Sequence, residues 1–216
     1  MPLELLYFAN PMCSWCWGFA PVIRHIVHEH GNVVRLTIAL GALGHGDGPM
    51  RPKDKDYVRE HWEHVHALTG QPFDFGFFER EGFIYDTEPP CRALAVVRAR
   101  QPALALPYLH ALHQAFYAEN RDITRADELR SIAEDLGVQR SAFTAAFEDL
   151  SARAAVAEEF AQTAQLGVTG YPTLLALADG RAHVLSIGCQ PPAYVEATLR
   201  PLLEGRSGHV PPADQI

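Results

Sequence analysis

"NPMCSWCWGF", residues 10–19, sets two cysteines three positions apart among tryptophans, in a chain with only 4 cysteines. Taken alone, such a pair fits a dithiol redox couple, half of a metal site, or two inert buried thiols. The flanking residues narrow the choice. Upstream, "LELLYF" (3–8) is an apolar run of strand length. Downstream, Phe19, Val22, Ile23 and Ile26 recur at i, i+3, i+4 and i+7, the spacing of one helical face, until Gly31 ends it. Cys13 therefore stands where a strand gives way to a helix. Backbone N–H groups there lack intrahelical partners, and the helix dipole adds positive character, so a thiolate is favoured over a thiol. Cys16 lies one turn inward, within reach of a short-loop disulfide. Cys13 can attack a substrate disulfide and Cys16 can resolve the mixed disulfide, a two-electron cycle with no added cofactor. Trp15 and Trp17 are expected to give the pair an apolar rim. Ser14 contributes a hydroxyl but no cation. Pro21, inside the helix, is expected to kink it.

Outward from this turn, "VVRLTIAL" (33–40) is rich in β-branched residues and reads as a second, buried strand, so the chain opens β-α-β. "GALGHGDGPMRPKDKD" (41–56) is a Gly- and Pro-rich loop, and a helical block follows. In that block Pro89-Pro90 and Pro102 bracket a helix holding Cys91 and Leu94. Leu109, Leu112, His113 and Phe116 face one way between Pro107 and Asn120. Leu129, Ile132, Ala133 and Leu136 form a face with Thr124 as N-cap and Gly137 as stop. Phe143, Ala146, Phe147 and Leu150 form another, and Val156 and Phe160 mark a last long helix ending at Gly167. Strand signals return at "PTLLALADGRAHVLSIG" (172–188), where two apolar runs flank Asp179-Gly180, a hairpin signal. "PPAYVEATLRPLLEG" (191–205) closes the chain as a helix, and the tail beyond it is polar.

The order is β-α-β, a helical insert, then β-β-α. With the insert removed, that is the element order of a thioredoxin-like fold, of α/β class. The expected boundaries are 1–45 for the first half of the core, 46–167 for the all-helical insertion, 168–206 for the second half and 207–216 for a tail. In "GVTGYPTLL" (167–175), Pro172 stands directly before a strand, where it cannot donate to a ladder. A cis Tyr171–Pro172 bond would leave the Tyr171 backbone free to pair with an extended substrate while its sulfur meets Cys13.

"PMCSWCWGF" (11–19) together with "GVTGYPTLL" resembles the DsbA-like thiol–disulfide oxidoreductases, in particular a cytoplasmic bacterial branch that includes FrnE-type proteins. The resemblance runs from Leu3 to Gly205. It implies a thioredoxin fold interrupted by helices, with Cys13 attacking, Cys16 resolving, Pro172 as the facing cis-proline and Tyr171 supplying the substrate-contacting backbone. It also implies that "TEPPCRAL" (87–94) begins a helix bordering the groove. Two positions depart from the family's habit: Ser14, where Pro is frequent, and Asn10, where Asp is frequent. The dipeptide between the cysteines tunes redox potential, so oxidation, reduction and isomerisation all stay open.

Composition agrees. Hydrophobic residues make up 48% and charged residues 20% of 216 residues, ordinary for a globular domain. A formal net charge of −8 with no basic stripe argues against a nucleic-acid partner. No apolar run spans a bilayer. The opening residues lack a basic, apolar and small-residue leader pattern, so the cytoplasm is the expected compartment. The expected partners are protein or small-molecule thiols and disulfides and a redox partner, with glutathione entering only as a co-substrate. Two alternatives stand beside this. One is a glutathione-dependent transferase or isomerase of the kappa-class or 2-hydroxychromene-2-carboxylate type, in which Cys16 is incidental. The other is a non-enzymatic thiol metal binder. No second C-x-x-C exists to complete a zinc site, and His25, His28 and His45 are poorly placed for one. His61, His64, His110 and His113 read as surface or packing residues. Cys91 is a candidate auxiliary thiol, and the aromatic "FDFGFF" (73–78) is expected to pack insert against core.

Overall fold

Leu3–Ala9 forms the first strand (β1) and Val34–Leu40 the second (β2), parallel and in register from Leu3 opposite Val34 to Ala9 opposite Leu40. Between them Ser14–His30 is one helix (α1), the crossover that a parallel pair requires. These observations come from a computed structural model that describes residues 2–43, 46 and 48–205. His45 and the tail beyond Gly205 lie outside the described residues. Thr173–Ala178 (β3) returns antiparallel to β1, and Arg181–Ile187 (β4) pairs antiparallel with β3, giving a four-stranded sheet of order β2-β1-β3-β4. The β3–β4 hairpin turns at Asp179 and Gly180, both at positive φ (52° and 71°), as a two-residue turn matched to strand twist demands.

Among the described residues six α-helices stand between β2 and β3: α2 (Pro52–Thr69), α3 (Glu88–Arg100), α4 (Ala105–His113), α5 (Ala126–Asp135), α6 (Arg140–Glu148) and α7 (Leu150–Gln165). A final helix, α8 (Pro192–Leu203), packs on β4 and α1. Several boundaries differ from expectation. Thr124 does not cap α5; its N–H and hydroxyl both bond the Asp122 carboxylate (3.1 and 2.6 Å), and the helix starts two residues later. Pro107 falls in the first turn of α4, where its missing N–H costs nothing, and that helix continues as a π-helical turn over Gln114–Ala118. Leu150 does not share the face of Phe143 and Phe147. Asp149 interrupts the helix, caps α7 by accepting from the Ser151 N–H (2.8 Å), and leaves Leu150 81% exposed. Gly31, Gly137 and Gly167 do mark helix ends.

The helical segment is fastened to the sheet at the end of β2. Glu159 of α7 accepts from the Leu40 N–H (2.8 Å) and from Arg98 of α3 (2.6 and 2.8 Å), while Thr163 Oγ1 donates to the Leu40 carbonyl (2.8 Å). The aromatic stretch 73–78 packs around Trp62, whose ring centre lies 4.9–5.2 Å from those of Phe73, Phe77, Phe78 and Tyr117. Tyr117 in turn stacks on Trp17 of α1 (interplanar 8°), so this cluster joins the helices to the core. Helix α1 runs through Pro21 unbroken. The ring nitrogen cannot donate to the Trp17 carbonyl one turn back, and Gln71 Nε2 donates to it instead (2.8 Å).

Candidate active site

Cys13 is the N-cap of α1, in extended backbone (φ −96°, ψ 111°), and its sulfur accepts from the Cys16 N–H at 3.3 Å. A cap is normally an oxygen; here the group accepting the orphan amide is a cysteine sulfur. The same sulfur lies 3.5 Å from the Tyr171 carbonyl, to which its thiol donates. The Tyr171–Pro172 bond is cis. Residues 158 apart in the chain thus meet where β1 and β3, paired at Phe8 and Thr173, deliver their ends to the same place.

Asn10 builds the turn that carries the cysteines. It is fully buried, and its Oδ1 accepts from the Met12 N–H (2.8 Å) while its Nδ2 donates to the Gly41 carbonyl (2.8 Å). Its backbone carbonyl accepts from the Cys13 N–H (3.1 Å) and from His113 Nε2 (3.3 Å). Both ends of the amide are used, which a carboxylate could not do because it has no donor. Tyr85 adds a further tie, donating from Oη to the Met12 carbonyl at 2.6 Å. Sequence reasoning singled out neither residue as functional.

Burial separates the two thiols. Cys13 is 5% exposed and opens into a cleft, whereas Cys16 is fully buried. Desolvation, then the bond and the charge of Cys13, push the Cys16 thiol well above the ordinary cysteine range, so it stays protonated. Cys91, the candidate auxiliary thiol, is buried in the first turn of α3, is pushed up by burial, and does not line the cleft. Cys189 is half-buried against α1, and a Cβ at Gly18 would lie 3.6 Å from its sulfur. Burial, then the Cys13 charge, raise it to about 11.

The cleft measures about 780 Å³ and is walled by Met12, Cys13, Ser14, Trp15 and Tyr171 on one side and by Tyr57, His61 and Trp62 of α2 on the other. The expected two-tryptophan rim is corrected: Trp15 lines the cleft, but Trp17 points inward and donates from Nε1 to the Pro72 carbonyl (3.0 Å). Residues two apart on a helix diverge by about 200°, so they cannot share a rim. His61 is corrected too. It is part of the wall, and its Nδ1 accepts from Trp15 Nε1 at 3.2 Å. His110 and His113 are packing residues, held by burial at about 4 and about 3. His25 and His30 both reach Glu196 of α8 (3.3 and 3.0 Å). Among the described residues no cluster of three or more His, Cys, Asp or Glu is arranged to hold a metal ion.

Residues 4–200 match the DSBA-like thioredoxin domain family. A Nitrosomonas europaea structure, provisionally described as a protein disulfide isomerase, is 35% identical with a TM-score of 0.89, covering 96% of this chain and 100% of that one. The cytosolic disulfide reductase DsbM of Pseudomonas aeruginosa is 27% identical with a TM-score of 0.77, covering 94% of this chain and 99% of that one. The ClpXP adapter protein SpxH of Halalkalibacterium halodurans is 25% identical over 186 residues, which is 82% of this chain but only 60% of the relative's length. On its sequence, its sheet order and the strand-to-helix cysteine turn, the chain belongs to the DSBA-like thioredoxin domain family.

Proposed function

We propose that the protein is a thiol–disulfide oxidoreductase in which Cys13 is the nucleophile and Cys16 the resolving thiol. The observation that carries this is the Cys13 sulfur held at the mouth of α1, accepting the Cys16 amide and facing both the cleft and the Tyr171 carbonyl. Cys13 thiolate attacks a disulfide R–S–S–R′, forming Cys13–S–S–R and releasing R′–S⁻, which takes up a proton. Cys16 then attacks the Cys13 sulfur; its proton goes to the departing R–S⁻, and a Cys13–Cys16 disulfide remains. The dithiol has lost two electrons and the substrate has gained them. Burial keeps Cys16 protonated until the mixed disulfide is beside it. Run backwards, the same steps oxidise a substrate dithiol, and in alternation they isomerise. The Tyr171 backbone and Pro172 position the substrate, with Ser14 and Trp15 beside it. The substrates are protein or small-molecule disulfides, a cellular thiol restores the dithiol, and the compartment is the cytoplasm. DsbM, cytosolic by name and also solved with GSH, supports both placements.

The test is dithiothreitol-driven insulin reduction by wild type, Cys13→Ser and Cys16→Ala. Cys13→Ser should lose activity, and Cys16→Ala should accumulate a mixed disulfide visible by mass spectrometry. Equal activity in wild type and Cys13→Ser ends the proposal. Glutathione-dependent turnover that survives Cys16→Ala would instead favour the transferase or isomerase alternative. A second reading, a non-enzymatic protein adapter, is favoured by the names of the curated relatives. It requires a partner bound equally well by the Cys13→Ser protein.

A further inference from the structure

Trp15 joins the two walls of the cleft through a contact that fixes a proton elsewhere. Its indole N–H is a donor only, and it bonds His61 Nδ1 at 3.2 Å. Nδ1 must therefore be the bare, accepting nitrogen, and the ring's own hydrogen sits on Nε2. The ring is also held edge-on by Tyr57 (centres 4.6 Å apart, 73°). Nε2 has no hydrogen-bond partner among the described residues, although the ring lines the cleft that opens on Cys13. Nearby, Arg51 and Asp54 bond each other at 2.8 and 3.1 Å. Most of the remaining wall is apolar: Met12, Met50, Val58 and Trp62.

An oriented, unpaired N–H in an apolar wall is how a binding site fixes a ligand's oxygen. We propose that His61 is a substrate-binding residue: its Nε2–H donates to a carbonyl or carboxylate oxygen on the cysteinyl unit whose sulfur Cys13 attacks. That oxygen lies four bonds from the sulfur in any cysteine-derived disulfide. Trp15 acts behind His61 as a positioning residue, setting the tautomer and the ring angle. The inference rests on the oxidoreductase function proposed above and adds the class of substrate, disulfides carrying an oxygen acceptor close to sulfur.

Three disulfides with the same ammonium groups test it: cystine, with carboxylates; cystine dimethyl ester, with carbonyls only; and cystamine, with neither. Reduced protein freed of reductant is mixed with each, and the second-order rate constant for its oxidation to the Cys13–Cys16 disulfide is measured. In wild type the oxygen-bearing disulfides should be preferred over cystamine. In His61→Leu that preference should fall roughly five-fold, about what one neutral hydrogen bond supplies. His61→Gln, which can accept from Trp15 and donate onward, should recover most of it, and Trp15→Phe should lose part. A fall for cystine alone identifies a carboxylate as the acceptor; a fall for both identifies the carbonyl oxygen. Unchanged preference in His61→Leu overturns the proposal while leaving the oxidoreductase function standing. Failure of wild type to react with any of the three, or with insulin, removes both. Melting temperatures of the variants show whether each is folded, and the preference compares two substrates on one protein, so partial unfolding does not imitate it.

Discussion

Gly41 offers the sharpest structural test, because a single methyl there would occupy the place of Tyr171. A Cβ at Gly41 would fall 1.9–2.0 Å from Cζ, Cε1 and Oη of that ring, where ordinary contact needs about 3.4 Å or more. The Gly41 backbone has little room to retreat: its N–H donates to the Ala9 carbonyl (3.2 Å) and its carbonyl accepts from buried Asn10 (2.8 Å). The ring must move instead, by roughly 1.5 Å, toward the cleft that it lines with Cys13. Overpacking of this kind costs about 2 kcal/mol, and for a domain of this size that is a melting temperature lower by about 4–8 °C. Gly41→Ala should also slow disulfide exchange, by up to about 100-fold if the Tyr171 backbone beside Cys13 shifts with its ring. The assay is a double-mutant cycle by calorimetry and insulin reduction. In a Tyr171→Ala background the methyl has space, so the further cost of Gly41→Ala should shrink below about 0.5 kcal/mol. The same loss in both backgrounds would refute the steric account.

Three further outcomes follow from burial and charge. Asn10→Asp places a carboxylate oxygen against the Gly41 carbonyl in a fully buried site, and urea unfolding at neutral pH should show a loss of about 3 kcal/mol; a loss under about 0.5 kcal/mol would mean that the carbonyl needs no donor. His113 and His110 are held neutral down to about 3 and about 4. The unfolded chain binds their protons below about 6.5, so stability is full above that value and falls on acidification at up to about 1.4 kcal/mol per pH unit for each histidine. His113→Phe should flatten this acid limb in chemical denaturation, and an unchanged slope would show that His113 is not its source. Cys189, raised to about 11, should have about a hundredfold less thiolate at pH 8 than an ordinary cysteine. Mass-resolved iodoacetamide alkylation should therefore label it slowly at pH 8 and about ten times faster at pH 9, whereas labelling at the rate of a free peptide thiol contradicts the burial.

What could be read from the sequence divides along the range of the interactions. The Cys13–Cys16 turn, both opening strands and the Asp179-Gly180 hairpin were legible because each is decided within a few residues by helix-start electrostatics, apolar runs or a positive-φ requirement. The same local physics held the answer for Trp17: 200° from Trp15 around a helix, it belonged with the core. Leu150 and Thr124 depart from the periodic pattern because two aspartates, Asp149 and Asp122, take the capping and turn roles by short side-chain bonds that periodicity does not register. The cleft is a different matter. Its walls come from the turn after β1, from α2, from Tyr85 and from Tyr171, and its ties run over separations of 31 (Asn10–Gly41), 46 (Trp15–His61) and 73 residues (Met12–Tyr85). No spacing rule links such positions, so Asn10 read as a departure from a more frequent Asp and His61 as one surface histidine among eleven. Only the fold shows that both ends of the Asn10 amide are spoken for and that one nitrogen of His61 has no hydrogen-bond partner among the described residues. The placing of Cys13 at the start of α1 is thus a local property of the chain, while the walls of the cleft that it opens into are residues that the fold brings together from far away.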